Sequence, residues 1–139
     1  MLLYGHPESG HSYKVRLFLT LADVSHGYEK VDIFRPMADR SEGFRDASEF
    51  GEVPVLVHDG AAIAQSNAIL LHLSRHTGRF SPPKGSTWDE VTMWLFWEAN
   101  RIGFSVPNLR YAKRFATDTA PDTVAWIAAR ARADLGRFD

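Results

Sequence analysis

Cysteine is absent from all 139 residues. That removes disulfide staples, thiolate zinc sites and any C-x-x-C redox pair, and it fits a reducing compartment. No apolar run reaches the ~18–20 residues that span a bilayer, so no membrane partner is expected. The opening MLLYGHPE has neither a basic start nor a long apolar stretch and does not read as a signal peptide. Charge of one sign is lacking too. Sixteen Lys and Arg stand against 17 Asp and Glu, spread along the chain, for a formal net charge of −1. Such a surface carries no electrostatic footprint for nucleic acid. A cytoplasmic globular protein is the expectation.

What is present has order. MLLYG is a short apolar run that stops at Gly5 and reads as a strand. From Ser12, taken as the N-cap, Val15, Phe18, Leu19 and Ala22 recur at helical spacing. Leu17, Leu21 and Val24 form a second stripe, which predicts a helix covered on two sides, with Lys14 and Arg16 on its exposed flank. YEKVDIF (28–34) alternates as a strand, and 35–52 reads as a loop with one weak helix. VPVLV (53–57), the HDG turn and AAIA form a hairpin, followed by a helix from Ser66 to the terminating Gly78.

SPPKGS (81–86) reads as a linker. Beyond it, Thr87-x-x-Glu90 matches a capping box that opens an aromatic-rich helix through Phe104. Glu98 and Asn100 interrupt its apolar stripes, which suits a stripe reaching the surface. Pro121 starts a last helix with Val124, Ile127, Ala128, Ala131, Leu135 and Phe138 on one face and Arg130, Arg132, Asp134 and Arg137 mostly elsewhere. The expected domains are 1–80, a linker at 81–86, and a helical segment at 87–139 with two main helices.

YGHPESGHSYKVRLFL, EFGEVPVLV and AQSNAILLHLSRH, in this order and spacing, resemble the glutathione S-transferases. The first stretch is most similar to the serine-type classes and related bacterial members. The resemblance implies a thioredoxin-like α/β N-terminal domain, βαβ-ββα with a mixed four-stranded sheet, followed by a partial all-α domain. It also implies that the chain is C-terminally shortened relative to most members.

On that resemblance, Ser9 stands where the family places its catalytic serine, as a hydrogen-bond donor to the glutathione sulfur. Pro54 corresponds to the family's cis-proline, which turns the Val53 backbone toward the cysteinyl backbone of the ligand. Gln65 and Ser66 match the pair that holds the γ-glutamyl group. Arg40 falls where a cation meets the glycyl carboxylate, and Glu52 where many members have glutamine. Ser48-Glu49 replaces the usual Asn-Pro, so the loop bearing Arg40 departs from the family pattern. Phe104 and Tyr111 are candidates to line the pocket of the electrophilic co-substrate.

Ser12 and Tyr13 remain alternatives to Ser9 as thiol donor. His6, Glu8 and His11 share one loop but are not expected to converge on a metal, and no metal is expected elsewhere. The implied activity is conjugation of glutathione, as co-substrate, to a hydrophobic electrophile. The alternatives are a glutathione-dependent disulfide reductase, which needs no protein cysteine, and a non-catalytic dimerisation or docking module. A homodimer is expected.

Overall fold

In a computed structural model, residues 1–138 are described, and they form two compact units, Met1–Pro83 and Lys84–Asp139. The first holds β1 (Leu2–Gly5), α1 (Gly10–Leu21), β2 (Gly27–Lys30), a 3-10 turn at Met37–Asp39, α2 (Glu42–Ala47), β3 (Val55–His58), β4 (Ala61–Ala64) and α3 (Ser66–Thr77). The sheet order is β2-β1-β3-β4. β1 runs parallel to β2, with Leu3 opposite Tyr28, and antiparallel to β3, with Leu3 opposite Leu56. The β3–β4 hairpin pairs Val55 with Ala64 and His58 with Ala61.

Strand alternation divides the core between the two faces of this sheet. Leu3 and Leu56 pack with Val15, Phe18 and Leu19 of α1 and Ile69 and Leu73 of α3. Their neighbours Tyr4 and Val55 point the other way and pack with Val31 and Phe44. Asp59 and Gly60 turn the hairpin with positive φ, as an Asp-Gly pair does readily. Gly78 closes α3 in the left-handed conformation at φ 70°.

Three local expectations are corrected here. The N-cap of α1 is Ser9, whose side chain accepts from the Ser12 N–H; Ser12 is fully buried instead. β2 ends at Lys30 rather than Phe34, because its only partner, β1, is four residues long and every residue is already paired. The second stripe of α1 is not covered as expected, since Leu17 and Leu21 are 40% and 56% exposed.

The second unit has three α-helices, not two. α4 (Trp88–Asn100) starts with the complete capping box: the Glu90 N–H donates to Thr87 Oγ1 and the Thr87 N–H to the Glu90 carboxylate. It stops at Arg101, whose backbone (φ −108°, ψ −84°) leaves helical geometry, and α5 (Ile102–Arg114) follows at once. α6 (Pro121–Leu135) ends in a 3-10 turn, Gly136–Phe138. The interior here is small and partly polar: Gly103, Ser105, Ala112, Ile127, Ala131 and Asp134 are buried. Asp134 therefore belongs to the buried face of α6, contrary to its expected surface position. Its carboxylate lies 3.3 Å from the Ser105 hydroxyl, whose hydrogen it shares with the Arg101 carbonyl at 2.9 Å. Leu135 and Phe138, expected on the packed face, are 49% and 63% exposed.

Candidate functional site

The turn between β1 and α1 is tied together by backbone and side-chain bonds around His6. The His6 N–H donates to the buried Ser12 hydroxyl at 3.2 Å, and its carbonyl accepts from the Ser9 N–H at 3.0 Å. Its Nδ1 accepts from the Glu8 N–H at 3.1 Å, so a neutral ring carries its proton on Nε2. Burial is the main reason this imidazole protonates less readily than an ordinary histidine; Lys30 adds to it, while Asp32 and Glu8 oppose it. Sequence reasoning gave this histidine no task. Its 5% exposure and three bonds make it the post on which the turn is built.

That post sets Ser9 at the start of α1. The Ser9 Oγ accepts from the Ser12 N–H at 3.2 Å, which satisfies one free donor of the helix's first turn. A hydroxyl that accepts from a backbone amide still has its hydrogen to donate. Ser12 has its oxygen engaged by His6 and is fully buried, whereas Tyr13 is 60% exposed. Of the three hydroxyls, Ser9 alone combines partial exposure with a fixed place at the helix N-terminus, where the partial positive charge of the macrodipole lies.

The first turn of α1 meets the first turn of α3. Ser66 Oγ lies 3.4 Å from His11 Nδ1, and the Lys14 ammonium donates to the Asn67 side-chain carbonyl. Lys14 is thus held against α3 and half-buried, whereas Arg16 is exposed as expected, its guanidinium 4.8 Å over the Tyr28 ring. Gln65, the N-cap of α3, has φ 68° and ψ 114°, a sparsely populated region for a residue with a side chain. Its amide donates to the Glu52 carboxylate at 3.2 Å.

The Val53–Pro54 peptide bond is cis. The β1–β3 ladder begins at Val55, so Val53 lies ahead of its first rung. Arg40 is tied to the backbone around it. Its guanidinium donates to the carbonyls of Gly51 (2.7 Å), Ile33 (3.2 Å) and Arg35 (3.1 and 3.2 Å). Those bonds fasten the 33–51 loop just before Glu52. Phe104 and Tyr111 belong to the second unit. Phe104 packs edge-on against Trp126 and beneath Arg130, and Tyr111 lies against Phe115.

Among the described residues, no group of three His, Asp or Glu side chains is arranged to hold a metal, and no helix is long and apolar enough to cross a membrane. The element order and sheet define a thioredoxin-like α/β domain followed by a helical unit. Residues 8–76 match the family model described as glutathione S-transferase, N-terminal domain, and the first unit belongs to that family. The chain is 28% identical over 144 residues to the disulfide-bond oxidoreductase YfcG of Escherichia coli strain K12, covering 99% of this chain but 64% of that relative. Among solved structures it is similar to a glutathione S-transferase from Xanthobacter autotrophicus Py2 (29% identity, TM-score 0.79, 99% of this chain and 67% of that one). It is also similar to a possible glutathione S-transferase from Rhodopseudomonas palustris (28% identity, TM-score 0.82, 99% and 63%).

Proposed function

We propose that the first unit binds glutathione and holds its sulfur as the thiolate, and that the chain acts as a glutathione transferase on a hydrophobic electrophile. A free thiol with pKa ~8.5 is mostly protonated at neutral pH, so the protein must favour the anion. The observation that carries the reading is Ser9: its oxygen is occupied by the Ser12 N–H, and its hydrogen is left to donate to a sulfur at the N-terminus of α1. The Val53 backbone would pair with the cysteinyl backbone as an added strand does. Ser66 would take the γ-glutamyl carboxylate at the start of α3. Glu52, held beside Gln65, suits the α-ammonium better than any carboxylate. Arg40 shapes the loop and is not given the glycyl carboxylate.

Ser9→Ala should raise the pKa of the bound thiol by about 1–2 units, the worth of one hydrogen bond to a charged group. Ultraviolet absorbance of the thiolate during a pH titration reads it. An unchanged titration in Ser9→Ala, with a shifted one in Tyr13→Phe, would move the role to Tyr13.

A second reading has its own support in the similarity to a disulfide-bond oxidoreductase along nearly the whole chain. Here the glutathione thiolate attacks a disulfide sulfur and one substrate thiolate leaves. A second glutathione thiolate then attacks the mixed disulfide, forming glutathione disulfide and releasing the other substrate thiolate. Turnover of an aryl halide against a glutathione mixed disulfide decides between the two reactions. No heat on titration with glutathione would leave only a docking module. The proposal includes a homodimer, supported by the exposure of Met93, Trp94 and Phe96 on α4; a monodisperse monomer in light scattering would reject it.

A further inference from the structure

The two serines offered to the ligand differ in what fills their acceptor side. Each hydroxyl has one hydrogen and two lone pairs. For Ser9 the acceptor side is filled by a backbone N–H, which can only donate. For Ser66 the neighbour is the His11 imidazole, 3.4 Å away through Nδ1, and that nitrogen donates or accepts according to tautomer. If Nδ1 is bare, it draws the Ser66 hydrogen toward itself and away from an incoming carboxylate. If Nδ1 carries a proton, the Ser66 oxygen accepts and its hydrogen is free. His11 and Lys14 are one helical turn apart on α1, and they meet Ser66 and Asn67, the first two residues of α3. The ring is therefore held where it can act on Ser66, and a contact of 3.4 Å is of the length that closes when a ligand seats.

We propose that His11 is a positioning residue of the glutathione site, donating from Nδ1 to the Ser66 hydroxyl so that the Ser66 O–H points at the γ-glutamyl carboxylate. The inference rests on the reading that the ligand is a γ-glutamyl peptide. It adds a residue 55 positions from Ser66 in the chain, and it makes carboxylate recognition depend on the tautomer of a side chain that touches no ligand atom.

Two measurements on the full chain test it. In a long-range nitrogen–proton spectrum of labelled histidine, the His11 ring should show a protonated Nδ1; a bare Nδ1 overturns the proposal. Calorimetry with glutathione should show about a 2- to 10-fold weaker affinity for His11→Ala, the size of one neutral hydrogen bond. His11→Asn, whose amide N–H replaces Nδ1–H, should recover most of the loss. The effect should vanish for the glutathione analogue lacking the γ-glutamyl α-carboxyl group, and His11→Ala should add nothing in a Ser66→Ala background. Equal losses for both ligands, or additive losses in the double variant, would show a merely structural histidine and overturn the proposal. If the wild-type chain binds neither ligand, the glutathione reading fails, while the ring spectrum still judges the His11–Ser66 polarity.

Discussion

The two units of the chain bury opposite kinds of residue. In the first, Leu3, Val15, Leu19, Phe44, Leu56, Ile69 and Leu73 are removed from water completely. In the second, the fully or nearly buried positions are a glycine, a serine, two alanines, an isoleucine and an aspartate, while Trp94, Phe96 and Trp126 are 45%, 74% and 55% exposed. Hydrophobicity alone would assign the denser core to the aromatic-rich half. The difference teaches that a sheet gathers branched side chains from strands and helices on both its faces, whereas three helices that meet through small residues leave their large rings outside. The candidate site on the first unit then rests on a densely packed base.

The largest effect that separates the units is a cavity. Leu56 is wholly buried in the central strand β3, between α1 and α3. Leu56→Ala should cost about 3–4 kcal/mol in urea unfolding. Loss of less than about 1 kcal/mol would show that this core is far looser than its burial implies.

Next comes a buried charge of the second unit. Asp134 Oδ2 accepts from Ser105, and Asp134 lies 3.9 Å from both Arg101 and Arg130. Those ion-pair distances are long and Arg101 is nearly half exposed, and Ser105 keeps the Arg101 carbonyl as an acceptor at 2.9 Å. The cost of Asp134→Ala is therefore mainly that of leaving the two guanidinium groups without their carboxylate. About 0.5–1.5 kcal/mol is expected, read as faster amide exchange in α5 and α6 and not in the sheet. Equal acceleration in both units would mean that they unfold as one.

These two positions also show what the sequence could and could not tell. Leu56 was readable as core because alternation and β-branched neighbours are local signals, as were the Asp59-Gly60 turn, the capping box at Thr87 and the Gly78 stop. Asp134 was not, since a charge on a helix reads as surface until its partners on another helix are known. Ser9 and Ser12 both suit an N-cap three residues apart, and the bond from the Ser12 N–H to the Ser9 hydroxyl decides between them, the Ser12 hydroxyl being taken up by the His6 N–H. α5 was missed as a separate helix because Pro107 lies inside it and the break at Arg101 has no glycine or proline to announce it. The backbone bonds of Arg40 had no sequence signal, because its acceptors are carbonyls, which every residue carries alike. Within the candidate site, Ser9, Val53, Pro54, Gln65 and Ser66 were named from the family resemblance, and the structure adds the cis bond before Pro54 and the cap at Ser9. The bonds of His6 and His11 had no local signal, since their partners depend on the turn and on the meeting of two helices.

Acid should separate the units more gently. All six histidines precede Lys84. His58 Nδ1 and His72 Nε2 share a hydrogen bond of 2.9 Å, and His76 packs 4.4 Å from the His58 ring, so the end of β3 is tied to α3 by imidazoles. Burial, then the charges of His58 and His76, keep His72 less basic than a free histidine, with Asp59 opposing; His6 is lowered as well, mainly by burial. The unfolded chain therefore takes up these protons first. Stability of the first unit should be greatest above pH ~6.5 and should fall as pH drops through that value toward the lower folded ones, at no more than about 1.4 kcal/mol per pH unit for each proton. His72→Gln should flatten that slope. A slope of the same size in α5 and α6, measured by amide exchange, would remove the histidines as its cause.

The smallest effect sharpens the comparison from the other side. Phe96 is the most exposed large apolar residue of α4, and in a single chain its ring has little contact to lose. Phe96→Ser should change folding free energy by no more than about 0.5 kcal/mol, within the range of ordinary surface substitutions. Sedimentation gives the second half of the test. If the α4 face joins two copies, the same substitution should shift the population toward monomer while leaving the isolated fold intact, because an apolar group exposed in one chain is worth most where a second chain removes it from water. A large loss of stability in dilute protein would instead mean that Phe96 is packed within its own unit, and the contrast between a core of branched residues and a surface of rings would not hold.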